Sequence, residues 1–95
     1  MSASTAPTRL ERIRSALEHA LHTDSIELID DSHRHAGHAG ARDGRGHFRV
    51  RIVSSGFEGL RPLQRHQLVY RSLGQLMQTD IHALSITALT PEEAR

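Results

Sequence analysis

The sequence predicts an α+β fold: one small sheet with its helices on a single face, in the order α-β-β-α-α-β. Three observations lead there. Two stretches with strand period follow one another early in the chain, and a third closes it. Helix-period and strand-period stretches do not alternate strictly, as a parallel α/β fold would require. No segment repeats, and 95 residues suffice for one modest core but not for two.

Residues 1–7, MSASTAP, are small and polar and read as a disordered lead-in to a domain over 8–90, with a frayed tail over 91–95. Thr8 with Glu11 three residues later is a capping box. Leu10, Ile13, Leu17 and Leu21 then form one apolar helical stripe. SIELIDD alternates Ile26 and Leu28 with polar residues and reads as the first strand. HFRVRIVSS alternates again, with Phe48, Val50 and Ile52 on one face and Arg49, Arg51 and Val53 on the other. The connection between these strands, about 15 residues, is far longer than an ordinary hairpin loop. SGFEGLRP is a glycine-punctuated turn, and Pro62 suits the first turn of a second helix. That helix would bury Leu68, Val69, Leu73, Leu76 and Met77, with Gly74 dividing it in two. IHALSITAL is the third strand; His82 shares parity with Leu84, Ile86 and Ala88 and so heads the line expected to face the core.

Composition narrows the chemistry. The chain has no cysteine, which excludes disulfides, thiolate catalysis and a metal site built from its own sulfur. Its 12 basic residues are all arginine and nearly balance 11 acids, so net charge indicates no particular partner. No apolar run approaches a membrane span and the N-terminus lacks the apolar region of a signal peptide, so the expectation is a cytoplasmic chain that does not engage membranes. No nucleophile with a base, no paired carboxylates and no phosphate-binding glycine loop are evident, so an enzyme is not expected.

Histidine is the distinctive residue. The stretch DDSHRHAGHAGARDGRGHF, residues 30–48, holds His33, His35, His38 and His47 among glycines and charges. By residue type alone it reads equally as a metal-binding loop or a polar excursion. A private zinc site from His33, His35, His38 and Asp31 or Asp43 ranks lower, because i, i+2 spacing in a loop is a poor preformed tetrahedron. His19 and His22, three apart on the first helix, lack an evident third ligand.

The segments DDSHRHAGHAG, HFRVRIVSSGFEGLRPLQRHQLVYRSLGQLM and IHALSITALTPEE resemble the BolA family, from about Arg9 to Glu93. The most specific pieces are HF.V...S..F.G, RH..VY..L and the HAL beginning at His82. The resemblance implies a fold similar to a class II KH domain, a three-stranded sheet covered by helices on one face. It also implies a heterodimer with a monothiol glutaredoxin that bridges a [2Fe–2S] cluster. Glutaredoxin cysteine and glutathione thiol would hold one side and BolA-type histidines the other, for cluster trafficking and assembly or for iron sensing. Carried over by position, His82 matches the family's ligand histidine. His35 falls where the histidine-type subgroup places its loop ligand, with His33 and His38 as alternatives. The isolated chain, a monomer or weak homodimer, would then carry no cofactor. Imidazole can replace thiolate on one iron of such a cluster, as in Rieske centres.

The alternative is a DNA-binding regulator of morphology and stress response using a KH-like basic surface. Arg49, Arg51, Arg65, His66 and Arg71 are its candidate phosphate or partner contacts. Against it, GFEG (Gly56 to Gly59) precedes the second helix, whereas a KH domain places its GxxG clamp between two helices.

Overall fold

The computed structural model describes residues 8–32 and 46–95. Its elements are α1 (Arg9–Ala20), β1 (Ser25–Asp30), β2 (Gly46–Val53), α2 (Pro62–Leu73), α3 (Leu76–Thr79) and β3 (Ile81–Leu89), the expected order. Among the described residues no helix is long and apolar enough to cross a membrane.

Local chemistry sets the helix ends. The Thr8 hydroxyl accepts from the Glu11 amide (3.1 Å) while the Glu11 carboxylate accepts from the Thr8 amide (2.8 Å), a reciprocal cap that starts α1. Pro62 occupies the first turn of α2, where its missing N–H is not needed, and Gln64 Oε1 accepts from the Arg61 amide at 2.8 Å. Gly74 has φ 55°, a conformation other residues rarely adopt, and it separates α2 from α3.

β2 is the central strand: it pairs antiparallel with β1 and parallel with β3. Its inward residues Phe48, Val50 and Ile52 meet Ile13, Leu17, Val69 and Leu73 of α1 and α2, all buried. Ile26 and Leu28 of β1, and Leu84, Ile86 and Ala88 of β3, complete that layer. A 3-10 turn over Ser55–Phe57 drops Phe57 fully into the core. Ser54 holds the turn: its hydroxyl accepts from the Gly56 amide at 3.0 Å and donates to the His22 carbonyl. The other face of the sheet is open, and there Ile29 is 52% exposed.

Two expectations change. Residues 91–95, expected to be a frayed tail, begin with a turn over 91–94, at which Thr90 and Glu93 bond each other reciprocally at 2.9 and 3.2 Å. Arg65 of α2 ties this turn down through both Glu93 oxygens, 2.6 and 3.3 Å, and also donates to the Leu60 and Ala88 carbonyls. Arg65 is thus an intradomain brace and not a free contact.

The second change concerns His82. Along the parallel pair Gly46 lies opposite Ile81, but the next residue, His47, lies opposite Ala83. β3 therefore carries one extra residue, His82, and this bulge shifts the side-chain alternation by one. Ile81 faces the core at 1% exposure, and Leu84, Ile86 and Ala88 face it after the bulge. His82 does not head the core-facing line; it is exposed.

The bulge is pinned from both sides. The Gly46 amide donates to the Asp80 carbonyl at 2.9 Å. The Asp80 carboxylate accepts from the Thr79 hydroxyl (2.5 Å), from Arg12 and from Arg9 Nε (3.1 Å), so the end of α3 is clasped to α1. These bonds, Thr79's foremost, hold its carboxyl at about 2 despite the opposing effect of burial. Gly46 is required sterically: a Cβ there would lie 2.5 Å from Ser32 Oγ and 2.8 Å from the buried Phe48 ring.

Two outcomes follow for variants. A carboxyl depressed in the fold stabilises it above the ordinary carboxylate pKa and loses that contribution as pH falls from about 4 towards 2. Asp80→Asn should therefore cost roughly 1–2 kcal/mol at pH 7, after allowing for solvent screening, and should flatten the acid limb of urea unfolding between pH 4 and 2. Glu93, lowered to about 2 chiefly by Arg65, leaves part of that limb in place. Gly46→Ala should cost about 1–3 kcal/mol by overpacking; a urea midpoint equal to wild type would contradict the close approach.

Candidate metal centre

The site lies where β2 and β3 begin side by side. His47 is the second residue of β2, half-buried on the open face. Its amide donates to Ser32 Oγ at 3.1 Å and its carbonyl accepts from the Asp31 amide at 2.8 Å. Ser32 is itself held by its amide donating to Asp30 Oδ1 at 2.8 Å. The two ends of segment 33–45 are thereby fastened to each other, directly beside the bulge. The imidazoles of His47 and His82 have centroids 5.0 Å apart, with planes tilted by 43°.

Beside this pair a depression of about 250 Å³ is bordered by Asp31, His47, Arg49 and Ser85. A second, of about 190 Å³, continues along the open face past Glu27, Ile29, Arg51 and Thr87. Asp31 is buried at 8% exposure and pairs with Arg49 Nε at 2.5 Å, so the charges on this floor are matched. A larger groove of about 590 Å³ between α1 and α3 presents His19 and shares no lining residue with these two depressions.

The candidate residues separate into groups. His82 is at the site. His33, His35 and His38 lie outside the described residues. Arg49 is paired with Asp31, and Arg51, half-buried, faces Glu27 in the strand register. Arg65 is the brace described above, while His66 is half-buried and Arg71 exposed on α2. Arg49 and Arg51 lie on the open face and α2 packs on the covered one, so these five residues do not form one basic surface. His47 is the site residue that sequence reasoning did not single out. Its outward parity with Arg49 and Arg51 was visible, but its approach to His82 depends on the non-local β2–β3 register.

What could this site hold? Among the described residues no three histidine, aspartate or glutamate side chains come together as a metal cage. The chain has no cysteine. The site thus offers nitrogen donors, with the remaining ligands left to another molecule. That donor set fits a cluster shared with a thiol-bearing partner and does not fit a resident four-thiolate cluster.

A family model described as BolA-like protein matches residues 17–93. The chain is 44% identical over 89 residues to Protein BOLA1, chloroplastic, of Arabidopsis thaliana, covering 90% of this chain and 56% of that protein. It is 45% identical over 94 residues to BolA-like protein 1 of Mus musculus, covering 99% of this chain and 66% of that protein. The chain therefore spans somewhat over half to two thirds of the length of these relatives. The solved structure of BolA1 from Arabidopsis thaliana superposes with a TM-score of 0.81 at 40% identity, covering 96% of this chain and all of that one. A match over most of the chain, in sequence and in fold, makes it a member of the BolA-like protein family.

Proposed function

We propose that this chain is a BolA-type, non-enzymatic partner of a monothiol glutaredoxin, co-ligating a bridging [2Fe–2S] cluster through His82 and His35. The output is iron–sulfur cluster trafficking and assembly or iron sensing, in the cytoplasm. The observation that carries this reading is the bulge that turns His82 out of the core-facing line and exposes it at the root of segment 33–45. Were His82 in the core, no partner could reach it.

Three further points support the reading. His35 is three residues from Ser32, whose hydroxyl contacts the His47 amide, so its backbone is within a reach of about 10 Å of that anchor. The absence of cysteine fits a chain that leaves the thiolates to glutaredoxin and glutathione. Held by two neutral imidazoles on one side, the cluster is cargo that can be handed on, since ligation through nitrogen is readily reversed by protonation. His82 and His35 would orient it; Ser32 and His47 would keep the two ends of the intervening segment together. The DNA-binding reading has less support, because its arginines divide between two faces and two of them are paired within the domain.

Reconstitution with a monothiol glutaredoxin, glutathione, iron and sulfide tests the reading by visible absorption and circular dichroism. Wild type should give a [2Fe–2S] spectrum distinct from that of the glutaredoxin homodimer. His82→Ala should abolish it, His35→Ala should weaken it severely, and His33→Ala and His38→Ala should leave it intact. If wild type neither alters the glutaredoxin spectrum nor co-elutes with it, the reading fails.

A further inference from the structure

Among the described residues no strand lies on the outer side of β3. We propose that this edge pairs with β3 of a second copy of the chain, antiparallel about a two-fold axis at Ser85. Two three-stranded sheets would thereby join into one. The inference does not depend on the glutaredoxin reading.

Backbone direction is the first argument. The Asp80 and Leu89 carbonyls accept from the Gly46 and Ser54 amides, so both point towards β2. Backbone groups alternate along a strand, so Ala83, Ser85 and Thr87 share the direction of Leu89. Leu84, Ile86 and Ala88 therefore turn their N–H and C=O groups outward. There the Ala88 carbonyl accepts from Arg65 at 3.1 Å, which ends the open stretch. What remains is the donor and acceptor of Leu84 and those of Ile86.

Charge is the second. From Ile81 to Leu89 the strand holds no acid, no arginine and no proline, residues that ordinarily blunt an edge. The opposite edge is guarded: β1 carries Glu27 and Asp30, and its Ile26 carbonyl accepts from Arg14 at 3.4 Å. A two-fold axis sets the same surface against itself, so a strand bearing charges at its centre would repel its copy. β3 meets no such repulsion. One open edge and one guarded edge close at two copies, whereas two open edges would extend into a filament.

Side chains fix the register. With Ser85 opposite Ser85, Leu84 lies opposite Ile86 of the second copy, and both open pairs exchange their N–H···O bonds. Leu84 and Ile86 are half-buried, whereas Phe48, Val50 and Ile52 in the same layer of the central strand are buried. Pairing would continue that apolar layer across the axis. On the open face Ser85 meets Ser85 and Ala83 meets Thr87, all small and exposed. An axis at Ile86 would set Leu84 against Ala88, whose carbonyl Arg65 occupies. An axis at Leu84 would set Ile86 against the bulge at His82, where the ladder is irregular.

Sedimentation equilibrium of the full chain alone tests the pairing. Wild type should pass from monomer to dimer as concentration rises and form nothing larger. In a mixture of carbon-13-labelled and unlabelled chains, Ser85 Hα should give an intermolecular cross-peak to itself, because the Cα atoms of such a pair lie about 4.5 Å apart. Ser85→Arg and Ser85→Asp each set like charges at the axis and should weaken dimerisation about tenfold. Mixed in equal amounts, the two variants should associate again. Ser25→Arg, a charge added to exposed β1, should leave dimerisation unchanged. Backbone amide shifts confined to the substituted strand certify each variant as folded. The proposal is overturned if wild type stays monomeric at millimolar concentration, or if Ser85→Arg dimerises as wild type does. It is also overturned if Ser25→Arg weakens the dimer as much as Ser85→Arg, or if the mixed variants fail to associate. Because no glutaredoxin is present, failure here leaves the cluster reading standing, and failure of reconstitution leaves this interface standing.

Discussion

One extra residue in β3 determines which side chains this sheet buries and which it exposes. A strand exposes and buries side chains alternately, so inserting a residue transfers everything beyond it to the opposite face. Opposite Gly46 and His47 the strand carries three residues where two would suffice, and the third is His82. The bulge lets Ile81 seal the core and Leu84, Ile86 and Ala88 continue it, while His82 is placed outside. With unbroken alternation either Ile81 or the line from Leu84 onward would face water. The core thus requires the bulge for its own packing, and the exposed histidine is its consequence.

The surroundings hold that irregularity in place. Asp80, one residue before β3, carries the charge at the junction and gathers Thr79, Arg9 and Arg12 around it. Its carbonyl receives the Gly46 amide, so the ion-pair cluster and the start of the parallel ladder share one residue. Gly46 permits the approach because Ser32 and the Phe48 ring occupy the space of a side chain. Ser32 in turn receives the His47 amide. From α1 to the ends of segment 33–45, each contact leads to the next, and the two imidazoles lie at the end of that series.

Local signals in the sequence revealed most of the fold. The Thr8–Glu11 cap, the alternation in β1 and β2, Pro62 and Gly74 are each decided by neighbours within a few residues, and each stands where local chemistry places it. What sequence pattern missed is non-local. A bulge in a parallel pair is fixed by strands separated by α2 and α3, so simple parity assigned His82 to the core side. The approach of His47 to His82 has the same origin. Sequence pattern left Arg65 open between a partner contact and an ion pair within the domain, because its partner Glu93 lies 28 residues away, beyond the last strand. His82 was marked as a site residue through its resemblance to a family motif, and the structure places it exposed at the bulge.

The central claim, that the bulge turns His82 onto the open face beside His47, is tested most directly by proton–proton Overhauser contacts in the chain free of metal. The account predicts cross-peaks between ring protons of His47 and His82. Cross-peaks from the His82 ring to the methyl groups of Leu17 or Val69, with none to His47, would contradict it.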